Sequence, residues 1–86
     1  MKIRIPSPLL SYTNAKQVEA NGATLADVFA DLDRQYPGLR FRVINEQDQI
    51  REHIKIFVNQ RVANSLADSV SANDEIHIIT AISGGS

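Results

Sequence analysis

An α+β fold, one mixed β-sheet packed on a single main helix, is predicted by three observations. Leu25, Val28, Phe29, Leu32 and Tyr36 recur with helical spacing and form one apolar stripe. Segments near both ends alternate apolar and polar residues, as half-buried strands do. The chain has 86 residues, enough for one core and too few for two. One sheet gripping one helix buries all of these apolar faces in so short a chain.

Each element follows in order. Lys2 to Ile5 places Ile3 and Ile5 on one face and Lys2 and Arg4 on the other, a half-buried strand. Pro6 and Pro8 end it and open a loop through Leu9, Leu10, Tyr12 and Asn14. Lys16 to Ala20 predicts a second strand with Val18 inward, and Asn21-Gly22 a turn. Thr24 can accept hydrogen bonds from the free N–H groups of the first helical turn, and Asp27 complements the helix dipole there. Pro37 disfavours helical geometry in the residue before it and Gly38 permits a reversed one, so the helix stops at this pair. The opposite helix face carries Asp27, Asp31, Asp33 and Arg34 and is expected to be solvated.

Arg40 to His53 is polar, with Val43, Ile44 and Ile50 interspersed. It predicts a connection of low regularity, with at most a short helical or strand piece. Ile54 to Val58 is a strand by its β-branched and aromatic content. Asn59-Gln60 is a turn, Val62 begins a short return strand, and Leu66 and Val70 bracket a loop ending at Asn73-Asp74. Glu75 to Ile82 is the last strong strand. The expected division is a folded domain over 1–82 and a flexible tail, Ser83-Gly84-Gly85-Ser86, over 83–86. If the first and last strands are parallel neighbours at the sheet centre, Ile3, Ile5, Ile76 and Ile78 all belong on the helix side.

Composition removes several function classes. The net charge is −1 and both signs are scattered, so there is no basic stripe for nucleic acid. The absence of cysteine removes disulfides, thiol catalysis and thiolate metal sites together. No apolar run approaches the roughly 18 residues of a membrane span. Met1 to Pro6 alternates instead of forming the apolar core of a signal peptide, so a soluble protein of the cytoplasm is expected. His53 and His77 are the only histidines, and no carboxylate stands at metal-ligand spacing with both; neither a metal nor a bound cofactor is expected. Asp31, Asp33, Glu46, Asp48, Asp74 and Glu75 fall on a helix face, a polar loop and a turn rather than in acid–base pairs. Asp74 is expected to bond nearby backbone N–H groups. Gly22 and Gly38 are expected to be turn glycines, not parts of a phosphate loop.

Three local patterns carry a family resemblance. The helix opens with Thr24-Leu25-Ala26-Asp27-Val28, a strand runs Ile56-Phe57-Val58-Asn59 into a turn, and the chain closes with Asn73-Asp74-Glu75-Ile76-His77-Ile78-Ile79-Thr80-Ala81-Ile82-Ser83-Gly84-Gly85. In this order the sequence resembles the ThiS/MoaD family of sulfur carriers, and within it the CysO-type carriers of cysteine biosynthesis. The Ile-Pro near the start and the long polar stretch before the Phe57 strand match that subgroup. Thr80-Ala81 stands where MoaD-type proteins usually have a Pro-Pro pair.

The resemblance implies a ubiquitin-like β-grasp fold and a carrier that is not itself an enzyme. An E1-like activating enzyme would use ATP to adenylate the terminal glycine carboxylate. A sulfur donor would then displace AMP to leave a thiocarboxylate, which a sulfur-accepting synthase would consume. In this sequence the glycine is Gly85, preceded by Gly84 and Ser83. Glycine suits that role because, without Cβ, another backbone can approach it closely. Ser86 departs from the pattern: a processing protease removes it, the chain is stored as an inactive precursor, or the residue is foreign to the natural protein.

Strand alternation also separates two sheet faces. Ile54, Ile56, Val58, Ile76 and Ile78 should pack on the helix. Phe57, Ile79 and Ala81 should point the other way with Lys55 and His77, which makes Phe57, Ile79 and Ala81 candidate partner contacts with His77 at their rim. The plain alternative is a second small core, in which Arg40–His53 or the loop after Pro6 covers them. For function, the alternatives to a carrier of cysteine biosynthesis are the small subunit of molybdopterin synthase, a non-covalent ubiquitin-like interaction module, and a modifier joined through Gly85 to a lysine.

Overall fold

The computed structural model describes residues 1–80. Five strands form one mixed sheet around a long helix. They are β1 (Lys2–Arg4), β2 (Gln17–Glu19), β3 (Ile54–Val58), β4 (Arg61–Val62) and β5 (Glu75–Thr80), in the spatial order β2-β1-β5-β3-β4. The last strand is therefore central. It runs parallel to β1, with Ile3 opposite Ile76, and antiparallel to β3, with Val58 opposite Ile76 and Ile56 opposite Ile78.

These registers line up an inner row, Val18, Ile3, Ile76 and Val58, across four strands. All four are buried, and helix α2 (Leu25–Gln35) presses Leu25, Val28, Phe29 and Leu32 against the same core, each fully shielded from solvent. Burial of each such side chain contributes about 1.5–3 kcal/mol, so this one stripe is a large share of what holds a thin core together. The helix begins as its sequence predicts. Thr24 is extended, and its Oγ1 accepts from the Asp27 N–H at 3.3 Å. It ends at Gln35, and Gly38 takes φ +93°, where a side chain would be strained.

Three details differ from the sequence expectation, and a fourth, the short helix allowed within the polar connection, is now given its place. The segment after Pro6 is a 3-10 turn (Ser7–Leu9) followed by a single helical turn, α1 (Leu10–Thr13), which buries Leu9 and Thr13. The polar connection after Gly38 begins with helix α3 (Leu39–Val43), whose Leu39 and Val43 join the main core. Asp31 is half-buried rather than freely solvated: its carboxylate accepts from the Asn21 backbone N–H, Arg34 and Gln35, and the Asn21 bond above all holds its pKa below the ordinary 3.8. Gly22 is needed for space more than for a turn, because a Cβ there would lie 2.6 Å from the Val28 backbone nitrogen. The expected domain boundary between residues 82 and 83 lies outside the described residues.

The β3–β4 turn is tied to the start of β5. Asn59 adopts φ +61°, a conformation asparagine tolerates better than most residues. Its Oδ1 accepts from the Glu75 N–H at 3.1 Å, while its backbone N–H donates to the Glu75 carbonyl at 2.7 Å. Its Nδ2 donates to Asp74 Oδ1 at 3.1 Å, and Asp74 Oδ2 accepts from the Ser71 N–H at 2.8 Å. Asp74 is thus the turn residue its sequence position predicts. The Ser71 N–H, and then the Asn59 amide, lower its pKa from the ordinary 3.8. No helix among the described residues is long and apolar enough to cross a membrane.

Two predictions follow from this packing. Gly22→Ala should destabilise the fold by about 1–3 kcal/mol, because the new methyl meets backbone rather than a movable side chain; a urea midpoint equal to wild type would refute it. The folded chain favours the Asp74 carboxylate, so its contribution is complete above the ordinary value near 3.8 and is lost as pH falls through the lowered native value. Asp74→Asn should therefore lower the thermal midpoint at neutral pH, and the gap to wild type should close in acid. A gap that stays constant down the pH scale would remove Asp74 from the acid response.

Candidate functional site

The site is built around the end of β5. Strand alternation sends Ile76 and Ile78 to the buried side, and Glu75, His77 and Ile79 to the open one. On that open face a second row crosses the whole sheet: Gln17, Arg4, His77, Phe57 and Val62 stand opposite one another in register. Ile79 pairs with Lys55 one step nearer the end of the strand.

Of the predicted contact residues, Ile79 is 45% exposed, while Phe57 and His77 are half-buried. His77 Nε2 lies 3.7 Å from Glu75 Oε2 along the same strand. Neither the Pro6 segment nor Arg40–His53 forms a separate small core: Leu9, Leu39, Val43 and Ile44 all belong to the single main core. The patch is flanked by Lys55, Arg4 and Lys2, all exposed. Val62, 41% exposed and opposite Phe57, extends the apolar surface. The pairing of the short return strand with β3 is the signal that could have placed it there. Ala81, Ser83, Gly84, Gly85 and Ser86 lie outside the described residues.

Thr80, the last described residue, pairs with Ile54 on the opposite, helix-facing side of the sheet. There it lines a cleft of about 760 Å³ with Tyr12, Phe41, Arg42, Arg51 and His53. Sequence reasoning did not find this cleft. Its walls come from α1, α3 and the segment before β3, and its one visible hint is Phe41 standing between Arg40 and Arg42. Thr80 thus stands between the open face that carries Ile79, Phe57 and Val62 and a cationic, aromatic cleft on the other side of the sheet. Among the described residues no group of three or more His, Asp or Glu is placed to hold a metal ion.

Known proteins share this fold. Residues 3–85 match the ThiS family. The sulfur carrier protein CysO of Mycobacterium tuberculosis is 32% identical over 89 residues, spanning 96% of each chain. Its crystal structure superposes with a TM-score of 0.88 at 28% identity, over 94% of this chain and 98% of that one. CysO from Amycolatopsis orientalis, crystallised in a complex with BexX, superposes equally well, with TM-score 0.88 at 27% identity over 94% of each chain. Small archaeal modifier protein 1 of Haloferax volcanii is 30% identical over 70 residues, 80% of this chain and 79% of its own. The mixed five-stranded sheet and its helix are a ubiquitin-like β-grasp, and the chain belongs to the ThiS family.

Proposed function

We propose that this chain is a sulfur carrier, adenylated and then thiocarboxylated at Gly85, that delivers sulfur for cysteine biosynthesis. The observation that supports it most is the identity with CysO along nearly the whole chain, joined to a Gly84-Gly85 pair four and five residues beyond the central strand's last described residue. In the activating step a Gly85 carboxylate oxygen attacks the α-phosphorus of ATP and pyrophosphate leaves. A hydrosulfide-level nucleophile then adds to the acyl carbon and AMP leaves, taking the oxygen with it. The product is a thiocarboxylate whose sulfur attacks an electrophilic carbon held by the sulfur-accepting synthase and displaces that carbon's leaving group; hydrolysis of the resulting acyl–sulfur bond then leaves the sulfur on the acceptor and returns the Gly85 carboxylate. Tethering replaces a free, volatile sulfide with a sulfur of high local concentration. Ser86 must first be cut away by a protease, because only a free Gly85 carboxylate can be adenylated. ATP belongs to the activating enzyme, and the carrier itself holds no cofactor.

The activating enzyme and the acceptor are proposed to dock on the open face through Phe57 and Ile79, with Val62 beside them, His77 at the rim and Ala81 leading into the tail. The identity with small archaeal modifier protein 1 favours a second reading, in which the Gly85 acyl adenylate is captured by a lysine amine of a target protein.

Intact-mass spectrometry separates these readings. The chain ending at Gly85, incubated with ATP, the host's activating enzyme and sulfide, should gain the mass of sulfur in place of one oxygen, and the chain with Ser86 attached should gain none. A covalent adduct with a second protein would mark the modifier instead, and no change under any condition would leave a non-covalent interaction module. Gly85→Val should abolish the gain while leaving the fold intact. Ile79→Asp should raise the activating enzyme's KM for the carrier about tenfold, as loss of a central interface contact does. Its thermal midpoint should move little, since Ile79 is 45% exposed. An unchanged KM would remove Ile79 from the interface.

A further inference from the structure

The cleft on the helix side of the tail root has a distinctive electrostatic build. Arg42 lies over the Tyr12 ring, 5.9 Å from its centroid, and its Nε donates to the Tyr12 hydroxyl at 2.7 Å. Arg51 lies over the Phe41 ring at 4.6 Å, and its Nε donates to the Phe41 carbonyl at 2.8 Å. Each guanidinium is therefore held through its Nε, and that of Arg51 also by the flat face of Phe41. Neither has a carboxylate partner among the described residues, and the Nη groups of both make no hydrogen bond there.

That is the edge a carboxylate accepts in a two-pronged hydrogen bond, and here the rotamer entropy of two long side chains is already partly spent. The nearby Arg40 differs, since Asp48 pairs with it at 2.9 Å. No acidic side chain lines the cleft, and His53 adds a third basic group. On a chain of net charge −1, this concentration is local and not a general surplus of cations. Phe41, 52% exposed, supplies apolar area beside the charges.

We propose that the Arg42–Arg51 cleft docks an acidic peptide segment of the enzyme that takes the tail, so that this enzyme grips both sides of β5. The occupant follows from charge complementarity and from continuity: the lining carries free guanidinium edges and no acidic side chain, and Thr80, which lines the cleft, is joined directly to the segment 81–85 that the receiving protein takes. Glutamate or aspartate side chains would meet the free guanidinium edges, and an adjoining apolar residue would rest on Phe41. The identity of the enzyme as an activating enzyme rests on the carrier function proposed above. The chemistry of the cleft does not.

The test is a two-dimensional NMR titration of the isotope-labelled full chain with a short synthetic Asp/Glu-rich peptide. A Lys-rich peptide and sodium sulfate at matched ionic strength serve as the comparison arms. The expected result is saturable shifts confined to the Arg42 and Arg51 Nε–H signals and the Tyr12, Phe41 and Thr80 amides. The acidic peptide alone should produce them, and the Arg42→Gln/Arg51→Gln variant should bind about tenfold or more weakly. Shifts spread equally over Lys2, Arg4, Lys55 and Arg61, an equal response to sulfate, or a double variant that binds like wild type would each overturn the proposal. The wild-type shift pattern decides the matter even if that variant fails to fold.

With the activating enzyme, the same variant should raise KM for the carrier about tenfold and kcat much less, as loss of charge-assisted docking does. An unchanged KM would overturn the assignment of the cleft to that enzyme. A wild-type chain that is never adenylated would sink the carrier function, while the peptide titration would still judge the cleft.

Discussion

Everything in this molecule depends on the last strand being the middle one. β5 is hydrogen-bonded along both edges, parallel to β1 and antiparallel to β3. In a sheet, a slip of one residue exchanges the two faces. A slip of β5 would carry Ile76 and Ile78 out of the core and bring His77 and Ile79 into it. The fully buried Ile3, Ile56 and Ile76 make that exchange costly. The Asn59–Asp74 clamp adds a polar constraint at the start of the strand, where the backbone of Glu75 is held from two directions. Core and clamp together fix where β5 lies, and which of its faces turns to which side, as far as Thr80.

As the docking surfaces proposed above, the two faces beside Thr80 would work by different physics. The open face offers apolar area from Ile79, Phe57 and Val62, whose contribution to binding grows with the water it sheds. The cleft offers oriented charge, which contributes more to encounter rate and to choice of partner than to raw affinity. A carrier of the kind proposed above would be received by one enzyme, released, and received by another. A modest apolar patch combined with directional charge suits such repeated, reversible exchange better than one large apolar interface.

Much of this was legible in the sequence because its signals are periodic. The α2 stripe and the alternation of β1, β3 and β5 follow from spacing, and the Thr24 cap from residue type. The parallel pairing of the first and last strands was a condition that their matching apolar faces fitted, and the structure supplies it. The short elements were not legible. α1 and α3 have four and five residues, too few turns for a helical period to stand out from a polar loop. Gly22 looked like half of a turn, whereas its necessity comes from the first turn of a helix folding back over it. The cleft was hidden for a related reason: Tyr12 and Arg42 are 30 residues apart, and neither belongs to any local pattern that names the other. The open-face residues Phe57, His77 and Ile79 were readable because a strand dictates sidedness. Val62 needed the pairing register as well.

The parallel pairing of β1 with β5 has a mechanical consequence. Lys2 lies beside Glu75 and Arg4 beside His77, so traction applied beyond Thr80 drags β5 lengthwise against β1. The bonds of the pair lie across that pull and bear it jointly, in shear; they do not open one after another like a zipper. A protein that threads the chain's end into a narrow channel can therefore tug on it hard, and the body of the domain will resist as a single block.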